Sequence, residues 1–524
     1  MKSDQDLYKR LRDLPKEQLW NTEVASFNVA SERERMERVA VIRAVGMIFS
    51  RFGTLEERSA VRDWLSSLLK DPQEKIRRYA MAALPKIGAG ARAEEQMISL
   101  LQESGGERER RHLGRALEKV GGAATLALAG DALSGITEQK IKAAILRKEN
   151  PGTVRLKALL PADAGRKVFL RCRRGLEGMV REEAEEKLAK SIFKIGEVRP
   201  GCVTLSAREP FSLAMLYEMR CFATIGFSLG LIKNGEGEEW IEALAECISS
   251  ARSRDLMMAA TEGAARYRLD FPARGHQRGA IRQVVERTYA NAPEILNDSR
   301  QALWSVDVLP VGVLGREASV ELRPRLYPDP RLFYRQDDIA AASHPPLAAC
   351  MARLAAKARE GEYTNEPQLI WDPFCGSGLE LIERSLLGGI AIAYGTDLDS
   401  AALEVARANF SAANLEETRA EFLCSDFSDA LGNATRHGII KSGSISLIIS
   451  NPPLGRRVRV KDLRGLFGDF YAAASRALKP GGRLIFTNPL QTGPNDPSLK
   501  LDYSQTVDLG GFNCQLEMYH KVLR

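Results

Sequence analysis

A short apolar stretch that runs into a glycine-rich turn constrains the fold of this chain more than any other feature. Residues 369–372 have the composition of a buried β-strand, and the sequence Asp-Pro-Phe-Cys-Gly-Ser-Gly occupies 372–378. A helical pattern follows at 379–387. This order is typical of an open α/β sheet, in which a ligand approaches the backbone at the carboxyl end of a strand. The Gly-Lys-Ser/Thr ending of a phosphate-binding P-loop is absent, so a nucleotide triphosphate site is not expected here.

Two further predicted strands end in acidic residues. The strand at 389–397 ends at Asp397, about 20 residues after the glycine turn, and Asp399 follows it. An acidic residue at this spacing suits hydrogen bonds to ribose hydroxyls, with Asp397 preferred over Asp399. The third strand, 421–426, ends at Asp426, which is expected to reach an adenine amino group, with Phe427 near the ring face.

The fourth predicted strand, 446–450, runs into the sequence Asn-Pro-Pro-Leu at 451–454. Two prolines end the strand and fix the backbone, so Asn451 is expected at the carboxyl end of the sheet. Its amide oxygen and the Pro452 carbonyl can together accept both hydrogens of a planar NH2 group. That arrangement directs the nitrogen lone pair at a methyl group and offsets the charge that develops during direct displacement. A fifth strand at 478–486 and a hairpin at 507–522 complete the sheet.

These sequences resemble those of S-adenosylmethionine-dependent, Rossmann-like amino-methyltransferases. Within that class the chain looks most like the THUMP-domain RNA guanine-N2 methyltransferases. Residues 331–335 and 344–349 are similar to the family's lead-in segment, and 174–177 to the opening of its ferredoxin-like module. Residues 267–278 look like the THUMP portion that binds RNA. The resemblance implies S-adenosylmethionine as cofactor and guanine N2 in tRNA or rRNA as the methylated group.

The resemblance also implies a set of site residues. The residues expected to bind the cofactor are Asp372, Pro373, Phe374, Cys375, Gly376, Ser377, Gly378, Asp397, Leu398, Asp399, Asp426, Phe427 and Asn451. Asn451, Pro452, Pro453 and Leu454 form the expected catalytic segment, and no metal is expected. The family usually has an aromatic residue at the position of Leu454, where it stacks on the target base. Leucine keeps an apolar contact but removes about 1–3 kcal/mol of stacking.

The sequence alone therefore does not identify the substrate. The same Asn-Pro-Pro geometry serves any planar NH2 group, so the adenine of DNA and the side chain of a protein glutamine are alternatives. A non-catalytic RNA-binding scaffold is a third alternative. His344 is expected to begin a helix. The basic residues Arg456, Arg457, Arg459, Lys461 and Arg464 are interpreted either as phosphate contacts or as a solvated loop.

The 524 residues are too many for one core, so a multidomain protein is expected. Residues 1–29 are assigned to an N-terminal extension and 30–165 to all-α, HEAT-like repeats with a linker at 141–165. The repeat is an offset of 33 residues between 75–88 and 108–121, each ending in glycine. Residues 166–330 are assigned to a middle α+β region, ferredoxin-like and THUMP-like, and 331–524 to the α/β Rossmann-like methyltransferase domain.

Composition adds weaker constraints. The net charge is +7, from 75 basic and 68 acidic residues, which fits contact with a polyanion such as RNA and fits ordinary surface variation almost as well. Eight cysteines without a Cys-x-x-Cys pair favour a reduced, cytoplasmic protein without a zinc ribbon. No stretch is apolar enough to span a membrane. The helical repeats are interpreted as a scaffold or as a docking surface for substrate or a protein partner.

Overall fold

The computed structural model describes the chain except for residues 1, 104–105, 133–134, 162–165, 189–191, 273–276, 341, 358–366, 432–438, 456–459, 491 and 523–524. Three arginines of the predicted basic cluster, Arg456, Arg457 and Arg459, lie outside the described residues. The described chain divides into two compact units. Unit 1 comprises Met1–Arg155 and Leu229–Arg325, and unit 2 comprises Leu156–Ser228 and Leu326–Arg524.

The α-helices of the described residues are, in chain order, α1 (Lys2–Arg12), α2 (Lys16–Gln18), α3 (Ala25–Val29), α4 (Glu32–Glu37), α5 (Ala40–Phe52), α6 (Leu55–Ser67), α7 (Glu74–Ile87), α8 (Ala91–Glu103), α9 (Glu107–Val120), α10 (Ala123–Ala132), α11 (Gly135–Glu149), α12 (Glu177–Lys187), α13 (Leu213–Leu216), α14 (Glu238–Ser249), α15 (Ala251–Ala259), α16 (Arg278–Asn291), α17 (Pro345–Ala356), α18 (Leu379–Ser385), α19 (Ser400–Ala412), α20 (Phe427–Ala430) and α21 (Leu463–Ala477). A π-helical segment lies at Leu19–Val24, and short 3-10 turns lie at Leu68–Lys70, Val313–Gly315 and Pro330–Leu332.

The strands are β1 (Thr153–Val154), β2 (Leu159–Leu160), β3 (Lys167–Arg171), β4 (Phe193–Arg199), β5 (Cys202–Ala207), β6 (Phe211–Ser212), β7 (Thr224–Lys233), β8 (Thr261–Glu262), β9 (Arg266–Asp270), β10 (Leu296–Asn297), β11 (Trp304–Val311), β12 (Glu317–Pro324), β13 (Gln368–Asp372), β14 (Ile390–Asp397), β15 (Arg419–Cys424), β16 (Ile445–Ser450), β17 (Leu478–Asn488), β18 (Leu499–Asp508) and β19 (Asn513–Lys521). No described helix is both long enough and apolar enough to cross a lipid bilayer.

The N-terminal part of unit 1 is helical, as expected. Helices α5, α7, α9 and α11 pack side by side, and α6, α8 and α10 form a second layer against them. Apolar residues at spacings of three and four fill the space between the layers, among them Val45, Leu84 and Leu117. Residues 1–29, which were expected as an extension, contain α1–α3 and contribute Leu11 and Phe27 to the same buried core.

Glycine ends both helices of the 33-residue repeat, but by different geometry. Gly88, after α7, has φ +85°, which a side chain would strain. Gly121, after α9, has φ −59°. Glycine is required there because a Cβ would lie 2.6 Å from the Leu117 carbonyl oxygen. The prediction of a linker from 141 onward is wrong for 141–149, because α11 continues to Glu149 and buries Ile141 and Ile145.

Unit 1 also contains four adjacent strands of a mixed sheet. They lie in the order β10-β9-β11-β12, in which β9 is parallel to both β10 and β11, and β12 is antiparallel to β11. Helix α11 joins this sheet to the helical layers: Arg147 forms two hydrogen bonds of 2.8 Å with Asp298, just after β10. The middle region expected at 166–330 is therefore divided, with 229–325 grouped with the N-terminal helices.

Residues 156–228 belong to unit 2 and contain antiparallel strands, the last of which, β7, continues along the chain to Lys233. Along the chain the segment reads β3, α12, β4, β5, α13 and β7, and the strand order is β7-β3-β5-β4. This segment packs closely on the C-terminal hairpin, since a Cβ at Gly175 would lie 2.0 Å from the Thr506 carbonyl oxygen. The turn after β3 therefore requires glycine, whose φ is +95° here.

The C-terminal part of unit 2 is a seven-stranded sheet with the order β15-β14-β13-β16-β17-β19-β18. The first five strands in this order are parallel, and β19 runs antiparallel to both β17 and β18. The connections change direction between β13 and β16. In open α/β sheets the ligand crevice lies at the carboxyl ends of the strands at this switch point. The α/β fold expected for 331–524 is confirmed.

Candidate active site

Asp372, the last residue of β13, is fully buried at the switch point of the sheet. Its Oδ1 atom accepts hydrogen bonds from the Ser450 hydroxyl at 2.5 Å and from the Phe374 amide at 3.0 Å. Its Oδ2 atom has no hydrogen-bond partner among the described residues. Burial, together with the nearby Glu380 carboxylate, raises the pKa of Asp372 well above its usual value. A buried acidic oxygen without a partner suits a cationic or hydrogen-donating ligand group.

The turn at 373–378 is held by the Asp397 side chain and by a hydrogen bond within its own backbone. The Gly376 amide donates to Asp397 Oδ2 at 2.9 Å, and the Gly378 amide donates to the Cys375 carbonyl at 2.7 Å. Gly376 and Gly378 have φ values of +49° and +79°, which glycine adopts without strain. The Cys375 thiol is buried, and its pKa is raised by burial and by Asp372, so the thiol is no activated nucleophile.

The remaining members of the turn have structural partners. The Pro373 carbonyl accepts a hydrogen bond from Thr396 Oγ1, and the Ser377 carbonyl accepts one from Asn409 Nδ2, each at 3.2 Å. The Phe374 ring lies 5.1 Å from the Phe427 ring and 5.6 Å from the Phe470 ring, measured between centroids. Phe427 is only 4% exposed within this aromatic cluster.

The three acidic residues expected to contact the cofactor lie at neighbouring strand ends. Asp397 ends β14 and accepts hydrogen bonds from the Gly376 and Asp399 amides. Asp399 caps α19 through the Ala401 amide, and Asp426 caps α20 through the Ser428 amide. The exposed Leu398 lies between the first two. Asp397 thus links the glycine turn to the second strand, and the other two carboxylates also hold helix N-termini.

Asn451 follows β16 and is fixed from both sides by hydroxyl groups. Its Nδ2 donates to Ser343 Oγ at 2.8 Å, and its Oδ1 accepts from Thr487 Oγ1 at 2.5 Å. Thr487 is fully buried near the end of β17. These two bonds set the orientation of the amide, and they leave one lone pair of Oδ1 and one hydrogen of Nδ2 for other partners. Pro452 is buried, whereas Pro453 and Leu454 are partly exposed.

A second buried carboxyl group lies beneath this segment. Glu380, in the first turn of α18, is 3% exposed, and its Oε1 has no hydrogen-bond partner among the described residues. Burial raises the pKa of Glu380 to about 7, although a hydrogen bond with Ser343 opposes the shift. Ser343 therefore contacts both Glu380 and Asn451. Sequence reasoning missed Ser343, Thr487 and Glu380, because none of them belongs to a recognisable motif.

The next acidic residue on the same helix anchors the sheet to residues 156–228. Glu383 forms two hydrogen bonds of 2.7 Å with Arg220 and accepts one of 2.6 Å from the Tyr334 hydroxyl. Glu383 is buried, so this ion pair is shielded from solvent. The α18 helix, which starts at the glycine turn, is thereby held at both of its acidic residues.

No group of three or more His, Cys, Asp or Glu residues among those described is arranged to hold a metal ion. The Asp372 and Glu380 oxygens that lack partners give the crevice a buried, acidic floor whose carboxyl groups are costly to ionise without a cationic partner. Such a floor fits a cofactor that carries a positive charge. The site therefore combines an acidic crevice, a glycine turn and an oriented amide at one edge of the sheet.

Comparisons with known proteins find a matching family model and similar solved structures. Residues 333–492 match the model of the family UPF0020, described as RMKL-like, methyltransferase domain. The structure of TrmN from Thermus thermophilus is 22% identical, covers 68% of this chain and 100% of its own, and has a TM-score of 0.51. A structure described as a possible methylase from Clostridium difficile 630 is 14% identical, covers 68% and 99% of the two chains, and has a TM-score of 0.47.

The likeness to TrmN supports the fold of the aligned part of the chain. An RNA methyltransferase from Salinibacter ruber in complex with S-adenosyl-L-homocysteine is 15% identical, covers 35% of this chain and 95% of its own, and has a TM-score of 0.24. No curated protein matches the chain. The family match over residues 333–492 confirms the expected enzyme class, a methyltransferase, and S-adenosylmethionine is the methyl donor that the sequence predicts for it.

Proposed function

We propose that this chain methylates the exocyclic amine of an RNA base, namely guanine N2 in tRNA or rRNA. The observation that carries the proposal is the fixed amide of Asn451. Ser343 and Thr487 hold it at the carboxyl end of β16, next to the strand that ends in Asp372. An amide in a set orientation recognises a planar NH2 group without any rearrangement during the reaction.

On the cofactor side we assign the glycine turn and the neighbouring strand ends. Asp397 would bind the ribose hydroxyls, and Asp426 the adenine amino group, while Asp372 would face the charged part of the cofactor. When bound, S-adenosylmethionine supplies an electrophilic methyl group on a positively charged sulfur atom. Asp399, Leu398 and Phe427 would line the same crevice.

On the acceptor side, Asn451 Oδ1 and the Pro452 carbonyl would accept the two hydrogens of the amine. Holding both hydrogens exposes the nitrogen lone pair and offsets the positive charge that develops on the nitrogen. Leu454 would contact the base by apolar packing. No nucleophilic side chain is required, which agrees with the raised pKa of the buried Cys375 thiol.

The regions outside the methyltransferase domain support an RNA substrate. Residues 156–228 have the chain order and the strand order, fourth-first-third-second, of a ferredoxin-like module, and we assign residues 229–325 to the THUMP-like part. The two helical layers of unit 1 are consistent with HEAT-like repeats, in which successive helix pairs stack. We propose that these regions grip RNA while Asn451 presents the base.

A transfer assay tests the proposal. The full-length protein is incubated with tritiated S-adenosylmethionine and separate RNA, DNA and protein fractions, and the modified nucleoside is identified by mass spectrometry. We expect label in RNA as N2-methylguanosine. Asn451→Ala should lower transfer by at least about 100-fold, as loss of a charge-stabilising group does. The cofactor affinity should stay nearly unchanged, whereas Asp397→Ala should weaken cofactor binding.

Other outcomes identify the alternatives. Label in DNA as methyladenine, or in protein alone, would replace RNA as the substrate. Calorimetry that detects no cofactor binding would favour a non-catalytic scaffold. Full turnover by Asn451→Ala would contradict the role assigned to this residue.

A further inference from the structure

The helical part of unit 1 carries a row of basic side chains that the proposed reaction does not use. Helices α5 and α7 touch at Gly46 and Ala83, where a Cβ on Gly46 would lie 2.8 Å from the Ala83 Cβ. Arg43 lies one turn before this contact on α5, and Lys86 lies one turn after it on α7. Both side chains are exposed. Residues spaced by three lie on the same face of a helix, so each cation lies on the side of its helix that borders the contact.

The next helix continues the row. Helices α7 and α9 are joined by Arg77, which donates to both carboxylate oxygens of Glu109. Lys119 occupies on α9 the position that Lys86 occupies on α7, 33 residues earlier. Neighbouring helices lie about 8–10 Å apart, so the repeat places these cations at a similar spacing. Arg115, one turn before Lys119 on the same face, is also exposed. We name Arg43, Lys86, Arg115 and Lys119 the cationic row.

The cationic row differs from the structural arginines around it in having no ion-pair partners. Arg77 pairs with Glu109, Arg78 with Glu74 and Arg111 with Glu107. In contrast, the part of the chain that the structure describes contains no ion pair of the four row residues within 4.0 Å. Arg43 instead stacks over the Tyr8 ring, with its guanidinium carbon 3.9 Å from the ring centroid. Basic groups that form no ion pair remain available to bind an anion.

The proximity of these charges has an electrostatic consequence. The pKa of Lys86 is lowered by partial burial and by the charges of Arg43 and Lys119. The pKa of His112, between Arg108 and Arg115 on α9, is lowered by burial and by Arg78, Arg115 and Arg108. The row thus concentrates positive charge from three helices. A polyanion with repeated charges relieves this repulsion at several positions together.

We propose that the cationic row is an RNA-binding surface that contacts the sugar–phosphate backbone of the methylated RNA. This inference rests on the proposed RNA substrate and extends it to a part of the chain that the methyltransferase match does not cover. The observations favour RNA over an acidic protein because the row consists of cations on successive helices, and the Tyr8 ring beside it is covered by Arg43. The large exposed apolar side chains of this helical region, Val29, Phe52 and Leu55, lie outside the row. A protein interface usually has an apolar core.

Charge reversal in the full-length protein tests the proposal. We expect Lys86→Glu with Lys119→Glu to weaken binding of unfractionated tRNA about 10-fold or more at 50 mM salt. The slope of log affinity against log salt concentration should become shallower by about 1.4–1.8, since each phosphate contact contributes about 0.7–0.9. The neutral pair Lys86→Gln with Lys119→Gln should show a similar change in slope, which guards against an effect of misfolding.

The matched control reverses two exposed cations outside the row, Lys70→Glu with Arg92→Glu. For this control, the slope of log affinity against log salt concentration should stay within about 0.5 of the wild-type slope, because the slope reports the number of phosphate contacts and these two residues make none. Equal slopes for wild type and both row variants would overturn the proposal, even if RNA is methylated. Methyl transfer to DNA or protein alone would instead remove the proposed function. Calorimetry with S-adenosylmethionine should give the same affinity for all variants.

Discussion

The amide of Asn451 is held by two hydroxyl groups, and Ser343 is the one that also contacts a buried carboxyl group. Because Thr487 donates to Oδ1 and Ser343 accepts from Nδ2, the amide cannot rotate without losing both hydrogen bonds. We expect Ser343→Ala to lower kcat roughly 10- to 100-fold, since a small misplacement of a reacting group costs up to about 10²-fold. The dissociation constant for S-adenosylmethionine should change less than about twofold, because the residue acts on the acceptor side.

Steady-state kinetics and calorimetry check this prediction. Ser343→Thr, which retains the hydroxyl, should recover part of the lost kcat. A variant that binds the cofactor poorly but turns over normally at saturation would show that Ser343 belongs to the cofactor side.

Glu380 makes the stability of unit 2 depend on pH. Its pKa in the folded protein, raised by burial to about 7, lies above the value of about 4.3 for an unfolded glutamate. The folded state therefore binds more protons between these values, and its stability falls as the pH rises through this window. Asp372, Glu383 and Ser343 face the same carboxyl group, and the pKa of Asp372 is raised too.

Glu380→Gln removes the cost of charging this buried group. Relative to wild type, the variant should gain up to about 3 kcal/mol in unfolding free energy between pH 5 and pH 8. Urea denaturation of both proteins across this range measures the difference. If the unfolding free energies of wild type and variant differ by the same amount at every pH from 5 to 8, Glu380 is charged at little cost, contrary to its burial.

At the scale of elements, the sequence predicts the parallel strands well because each one is an apolar run that ends in a polar residue. The expected strand ends at Asp372, Asp397 and Ser450 agree with β13, β14 and β16. The third strand differs: β15 ends at Cys424, and Asp426 begins the next helix instead. Aspartate is favoured at helix N-termini, and this local preference moves the boundary.

Other features depend on contacts that are distant in sequence. Arg220 and Glu383 are 163 residues apart, and their ion pair helps to group residues 156–228 with the methyltransferase sheet. The spacing of apolar residues along the chain gives no information on an ion pair between residues so far apart, so the division of the middle region could not be predicted. The same reason applies to Ser343, which is 108 residues from Asn451. Its role is visible only once the fold brings the two side chains together.

At the scale of the whole molecule, a buried ion-pair cluster joins the helical layers of unit 1 to its mixed sheet. Asp298 is fully buried and pairs with Arg147 of α11 at 2.8 Å and with Arg266 of β9 at 3.5 Å. Burial alone would raise the pKa of Asp298, but hydrogen bonds from Arg147 and two backbone amides lower it. Its contribution to stability is therefore present above the pKa of an unfolded aspartate and is lost as the pH falls.

Removing this carboxylate should destabilise unit 1 strongly, because Arg266 is only 1% exposed and would be left without its acidic partner. We expect Asp298→Ala to cost about 3–5 kcal/mol, as breaking a buried ion pair does. The matched control is Asp270→Ala, which removes the half-exposed partner of Arg268 and should cost less than about 1 kcal/mol. Tryptophan fluorescence during urea unfolding follows the change, because Trp20, Trp64, Trp240 and Trp304 belong to unit 1. Equal unfolding midpoints for the two variants would mean that the buried cluster contributes no more than a surface pair, and that apolar packing of α11 alone holds the helical layers to the sheet.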